Sequence, residues 1–197
     1  SSACGCGGDC RLAPGRPTPA GPPQALLVAY RSLVAAADAA PVHALADALR
    51  MRGLEVTPVF VSSLKDPAAA GKVADAIGRL APAVIVNTTG FSARRPDGGS
   101  VLDAAGVPVI QAIVASTFRA AWEASPRGLS AADLAMNVVL PEVDGRIVGP
   151  AVSFKAEDVR HAAFEFTRIA HVPDADGVAR AADLAAAHVR LARLPAA

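Results

Sequence analysis

A chain of 197 residues can bury roughly 70% of its unfolded surface, and 52% hydrophobic with 19% charged residues supplies the core to do so, which excludes a disordered chain. Nineteen basic and eighteen acidic side chains leave a net charge of +1 with no Lys/Arg cluster interleaved with aromatics, so the footprint of a nucleic-acid binder is absent. Apolar runs are broken by Arg, Asp, Pro or Gly before reaching about 18 residues, which excludes a helical membrane span.

Residues 1–24 are rich in Gly and Pro and poor in large apolar side chains, and they read as a flexible tail or linker ahead of one α/β domain over 25–197. All three cysteines, Cys4, Cys6 and Cys10, lie in the tail and leave the folded body without a possible disulfide. With no secretory leader at the start of the sequence, this points to a reducing, cytoplasmic setting. Close thiolates chelate zinc, cobalt or iron–sulfur clusters, which makes these three the candidate metal ligands. They are one sulfur short of a closed site, and the surrounding glycines fit a tail with incidental thiols equally.

From Ala25 the pattern becomes short apolar runs alternating with helical periodicity. Ala25–Tyr30 lacks polar alternation and suits a parallel strand buried on both faces. Pro41 opens a helix that carries Val42, Leu45 and Leu49 on one face, and Gly53 caps its end. Val56–Val61 is the second strand. Asp66 and Pro67 start a helix with Val73, Ile77 and Leu80 on its apolar face. Ala83–Val86 is the third strand and Gly106–Gln111 the fourth, although Pro108 has no amide for a central ladder.

Ser130 with Asp133 three residues on, and Leu129 set to staple onto Leu134, place a helix start at Ala131. Trp122 and Phe118, four apart on an expected helix, read as packing rather than as a platform for a macrocycle. Asp144-Gly145 between Glu142-Val143 and Arg146-Ile147-Val148 reads as a two-residue hairpin turn. A strand near Phe164–Ala170 and a helix from about Val178 to Leu194 close the chain. The expected architecture is α/β: a doubly wound, mostly parallel sheet of flavodoxin/Rossmann type, helices on both faces, and a short hairpin.

In such a sheet ligands bind beyond the carboxyl ends of the strands. Those ends are followed by Tyr30, Arg31 and Ser32; by Ser62, Ser63 and Lys65; by Asn87, Thr88, Thr89 and Gly90; and by Gln111, with Ser116 and Thr117 further on. The rim is polar but holds no nucleophile–base pair. Arg31, a guanidinium directly after a buried strand, and Gln111 are its candidate substrate contacts, with an internal ion pair as the other fate for Arg31. Neither G-x-G-x-x-G, G-x-x-x-x-G-K-[ST] nor G-x-S-x-G occurs. His43, His161, His171 and His188 lack ligand-like spacing and read as surface or boundary residues.

The segment Ser125–Ile147, SPRGLSAADLAMNVVLPEVDGRI, resembles a signature of the large subunits of the cobaltochelatase and magnesium chelatase family. Ala29–Arg31, Leu49–Pro67, Asn87–Phe91 and Val107–Gln111 extend the resemblance over most of residues 25–194. Val59–Pro67 and Ala151–Lys155 are more similar to the cobalt branch. The resemblance implies an enzyme that forms nitrogen–metal bonds, inserting cobalt into hydrogenobyrinic acid a,c-diamide in cobalamin biosynthesis. It implies cobalt and ATP for the whole complex, with ATP hydrolysed on separate AAA+ partner subunits, which agrees with the missing phosphate loop, and it assigns no particular cofactor to this domain.

Family members are several-fold longer and carry downstream a His- and Glu-containing Gly-Thr-His-Gly region that is absent here, so the chain is expected to be a fragment, inactive alone, whose partner is the remainder of the large subunit. Within the signature the candidates are Glu142, facing the metal or a pyrrole N–H as the catalytic group, and Arg127, Asp144 and Arg146, holding the carboxylate or amide arms of the corrinoid. Asp144 in a plain turn and Arg127 in a local pair are the structural alternatives. Two other readings stay open: the equivalent domain of a magnesium chelatase, and a freestanding flavodoxin-like binding or scaffold module.

Overall fold

Strand β1, Gln24–Tyr30, has Ala25 to Ala29 wholly inaccessible because its two faces meet different helix layers. Ala25, Leu27 and Ala29 join a core with helices α2, Ala40–Met51, and α7, Ala175–Leu191. Leu26 and Val28 join a second core with α3, Pro67–Leu80, and a 3₁₀ turn, Val101–Ala105. That double burial explains the missing polar alternation. The computed structural model describes residues 21–95, 98–158 and 168–194.

The other strands are β2, Glu55–Val61; β3, Val84–Asn87; β4, Val109–Phe118; β5, Ile147–Asp158; and β6, Arg168–Pro173. They form one sheet of order β2-β1-β3-β4-β5-β6, parallel throughout except for β6, which runs antiparallel to β5. The first five positions have the 2-1-3-4-5 order of doubly wound flavodoxin-like sheets, as expected. Pro58 is tolerated because β2 is an edge strand. Pro108 stands just before β4, where only its carbonyl is used, accepting from the Ile85 amide at 3.0 Å.

Local signals act where the sequence places them. The Asp66 carboxylate accepts the Ala69 amide at 2.9 Å to cap α3, and Ser130 accepts the Asp133 amide at 3.1 Å to start α5, Ala131–Leu134. Leu129, however, packs with the Ile113, Ala115 and Phe154 cluster, while Leu134 is 39% exposed, so the expected staple does not close. After α5 the helix widens into a π turn, Ala135–Val139, and resumes as α6, Leu140–Val143. Pro141 has no amide for the Asn137 carbonyl and its ring crowds that carbonyl, a conflict the widened turn before it absorbs.

Two further expectations are corrected. The Asp144-Gly145 turn is no hairpin: Glu142 and Val143 end α6, and Gly145 at φ +78° closes it with Gly145 N–H bonded to the Glu142 carbonyl at 2.8 Å and Arg146 N–H to that of Pro141 at 3.1 Å. This is the same two-bond helix ending that Gly53 makes after α2, and a left-handed glycine serves a helix end as well as a tight turn. The antiparallel pair of the sheet is β5/β6 instead.

Phe118 is the last residue of β4 rather than a helix partner of Trp122, which lies in α4, Arg119–Glu123, and packs on Phe154 with ring centroids 4.8 Å apart. Within the described residues the last strand is β6, Arg168–Pro173; the Phe164–Thr167 part of that expectation and His161 lie outside them, as do Cys4, Cys6 and Cys10. Two short elements, α1 at Arg31–Ala35 and the 3₁₀ turn, carry too few apolar positions to show a period.

Helix α7 seals one face. Its N-terminus is capped by Asp174, which accepts the Gly177 amide at 2.7 Å and pairs with Arg119. Gly177 lies so near β5 that a Cβ there would sit 1.8 Å from the Ala151 carbonyl oxygen. Arg52 ties α2 to α7 through the Asp183 carboxylate at 2.7 Å and the Ala179 carbonyl at 3.0 Å.

Candidate functional site

The strand order reverses between β1 and β3, and the crevice of the fold opens at their carboxyl ends. The chain leaving β3 folds back over β1: the Thr88 amide and hydroxyl both donate to the Val28 carbonyl, at 2.8 and 3.0 Å, and the Tyr30 hydroxyl donates to the Gly90 carbonyl at 3.0 Å. Phe91 follows at φ +66°, a strained conformation for an aromatic residue; the residue is 54% exposed and its amide donates to the Met136 carbonyl at 2.8 Å.

Tyr30, Gly90 and Phe91 are shared by two clefts, of about 270 and 240 Å³. Ser63, Lys65, Thr89 and Ser92 line the first; Ser32, Leu33, Thr88, Ser116, Met136 and His171 are among those lining the second. The polar rim expected at the strand ends is therefore largely assembled. Burial pushes the Tyr30 hydroxyl above its usual range, and the nearby Arg146 guanidinium offsets only part of that.

Beneath the crevice lies a closed polar network. The Asn87 amide donates to the Thr89 carbonyl at 2.9 Å and to Gln111 Oε1 at 2.8 Å, and the Thr89 hydroxyl donates back to Asn87 Oδ1 at 2.9 Å. Arg146 donates to Gln111 Oε1 at 2.8 Å and to Asp144 Oδ2 at 3.1 Å. Asp144 in turn accepts from the Ser92 hydroxyl at 2.7 Å and the Ala93 amide at 2.6 Å. Burial pushes the Arg146 guanidinium below its ordinary value, with Asp144 as the main opposing charge. Gln111, Asp144 and Arg146, read from the sequence as candidate substrate contacts, thus come together with their side chains directed at one another inside the protein.

Asp133 was read as a helix-start signal alone. Its carboxylate is wholly buried and accepts the amides of Ser116 and Thr117, each at 2.9 Å, together with both their hydroxyls. Burial raises this carboxyl, and the Thr117 and Ser116 donors outweigh burial to leave it below its usual range. It is the bolt between β4 and the helix that walls the second cleft. The amide a capping-box Asp133 would have taken, that of Ser130, goes to the Thr117 hydroxyl at 3.1 Å.

Glu142, Arg31 and Arg127 contrast with these. All three side chains are exposed, on α6, at the start of α1 and in the loop before α5 respectively. The structure brings none of them to the two clefts, whose walls they do not line.

His171 is the residue that spacing missed. Its ring Nδ1 lies 2.6 Å from Asp38 Oδ2 and its amide donates to Asp38 Oδ1 at 2.8 Å, 133 positions away in sequence. Asp38 holds Nδ1, and among the described residues Nε2 has no partner in a ring that lines the second cleft. No sequence-local signal could join these two. Among the described residues there is no group of three or more His, Cys, Asp or Glu side chains that could hold a metal ion. None of their helices is long and apolar enough to cross a membrane.

Comparison with known proteins gives consistent matches. The family model described as CobN/Magnesium Chelatase matches residues 14–197. An aerobic cobaltochelatase subunit CobN from a Sinorhizobium species is 47% identical over 167 residues, covering 83% of this chain and 13% of the relative; its namesake from Pseudomonas aeruginosa is 37% identical over 177 residues, covering 89% and 14%. Among solved structures, the catalytic subunit of cobaltochelatase from Mycobacterium tuberculosis superposes with a TM-score of 0.71 at 28% identity, over 87% of this chain and 15% of that one. The chain spans about one seventh of the length of the curated relatives it matches.

Proposed function

Since the chain belongs to the CobN/magnesium chelatase family, we propose that it is one domain of the tetrapyrrole-binding large subunit of a cobaltochelatase. In this reading residues 25–197 form the domain and 1–24 a linker, and the complete enzyme inserts cobalt, its substrate metal, into hydrogenobyrinic acid a,c-diamide in the cytoplasm. ATP is hydrolysed on AAA+ partner subunits. The domain by itself is inactive, because it spans about one seventh of the related large subunits and depends on the rest of the subunit.

The observation that carries the reading is the 47% identity to a cobaltochelatase subunit over 83% of the chain. It favours cobalt over magnesium, since the two curated relatives both bear the cobalt enzyme's name. Among the described residues the exposed Glu142, Arg31 and Arg127 meet no side-chain partner, so they are the charged groups of the earlier set that remain able to reach a corrinoid or a neighbouring domain. Arg146, Asp144 and Gln111 support that surface from below. Cys4, Cys6 and Cys10 act as incidental thiols.

The test is cobalt insertion by the full-length large subunit with its ATPase partners, ATP and hydrogenobyrinic acid a,c-diamide, followed by absorbance. Cobalt-dependent turnover is expected. Magnesium-dependent turnover with a porphyrin instead would move the chain to the other branch, and tetrapyrrole binding by neither route would leave a binding or scaffold module.

A further inference from the structure

Residues 131–143 form a helix turned inside out. In α3, an ordinary amphipathic helix, Ala69, Val73, Ala76 and Ile77 are buried while Lys72, Asp75 and Arg79 face out. Along Ala131–Val143 the buried side chains are Asp133, Asn137 and Pro141, spaced four apart, and two of the three are polar. Leu134, Val139, Leu140 and Val143 face outward, 39, 53, 37 and 69% exposed, with Ala131, Ala132 and Ala135 between them. Glu142 is the one charge on this outer face.

The inward polar set is explained by the anchoring of Asp133 to β4, but nothing within the described residues covers the outward apolar set. Phe91 continues the patch: it is exposed, its amide donates to the Met136 carbonyl, and both residues line the second cleft. A soluble surface does not keep a contiguous apolar face of this kind without a partner.

We infer that the outer face of Ala131–Val143, continued by Phe91, is the surface on which the remainder of the large subunit seats, so that the clefts open into an interdomain boundary rather than into solvent. This rests on the proposed function, and the occupant follows from length. The matched region is 13–15% of each related polypeptide, so a domain of this kind is surrounded by a much larger body of the same chain. The near absence of charge excludes a polyanionic partner.

Hydroxyl-radical footprinting of the 197-residue chain and of the full-length large subunit tests this. Phe91, Leu134, Val139, Leu140 and Val143 should be labelled about tenfold more slowly in the full-length protein, as expected for residues in a water-excluding interface. Equal rates overturn the inference. So does a slowing in the isolated chain as its concentration rises, which would give the face to a second copy. The double variant Val139→Glu with Val143→Glu should melt like wild type in the isolated chain and at a lower temperature in the full-length subunit; an unchanged full-length melt overturns the inference as well. Cobalt insertion by the same wild-type preparation separates the two readings, because a shielded face without insertion defeats the proposed function alone, and insertion with an open face defeats the docking surface alone.

Discussion

Asp144 and Glu142 are two residues apart, and so are Asp144 and Arg146, yet the first pair is divided between outside and inside while the second is joined within. Asp144 and Arg146 point into the network under the crevice, where every charge meets an opposite charge or a hydrogen-bond donor. Glu142 and Arg127 point into solvent from the same signature segment. The difference teaches that acidic and basic residues clustered in a signature need not share a task. A charge with low-dielectric surroundings and a full set of partners fixes a loop in place, and only a charge left without partners remains available to an incoming substrate.

The sharpest way to break this comparison is Arg146→Met, which leaves the buried Asp144 carboxylate with only the half-exposed Arg94, 3.6 Å away, as a counter-charge and should cost about 3 kcal/mol. Urea denaturation of the isolated chain measures it, and a wild-type midpoint would mean the inner charges are not held as a unit. The next effect is at Asp133. Its folded value lies below the unfolded one, so its stabilisation is complete above pH ~4 and is lost as pH falls through the folded value. Asp133→Asn should therefore cost about 2 kcal/mol at pH 7 and progressively less at more acid pH. Parallel melts across pH 3–7 would show the two curves converging; curves that stay parallel would mean that the charge of Asp133 contributes nothing.

On the outer side the expected stability effects are small. Glu142→Gln should change unfolding of the isolated chain by no more than about 0.5 kcal/mol, since the side chain is exposed there, while lowering cobalt insertion by the complete enzyme by about 10²-fold. Normal turnover would remove Glu142 from the chemistry, and a large fall in melting temperature would reassign it to the structure. Smallest of all is the triple change of Cys4, Cys6 and Cys10 to Ser. It should alter neither the melt nor the metal content found by elemental analysis, and loss of a full equivalent of zinc, cobalt or iron would reveal a metal site in the tail.

The parts of the fold that were legible depend on neighbours in sequence. Runs such as Leu26–Ala29 and Ile85–Val86 announce strands because both faces are covered, and Asp66 and Ser130 announce helix starts because a cap is a contact over three residues. Asp144-Gly145 was misread because a left-handed glycine is common to hairpins and helix ends, and the clue that would have decided between them was hidden. Outward-facing Leu134, Val139 and Val143, together with the extra residue of the π turn, erase the helical period on which recognition rests.

The site was legible only as a rim. Tyr30, Ser63, Thr88 and Thr89 could be ranked by position after their strands, but the Asp38–His171 pair and the Asp133–Thr117 bolt join distant segments through side-chain geometry alone. The resemblance to known large subunits added what periodicity could not, a chemistry, without saying which of its charged residues faces inward.

The close fit of α7 against β5, with no room for even a methyl group at Gly177, has a consequence in time. About 130 residues separate the end of β2 at Val61 from the end of α7 at Leu191, so at about 5–20 residues per second synthesis leaves Leu27, Leu45 and Leu49 without their cover for roughly 7–26 s. The nascent chain must carry that half-built core as an open apolar wall. A message interrupted before Ala175 would release a polypeptide with this wall permanently bare, a substrate for chaperones and proteases rather than a smaller version of the domain.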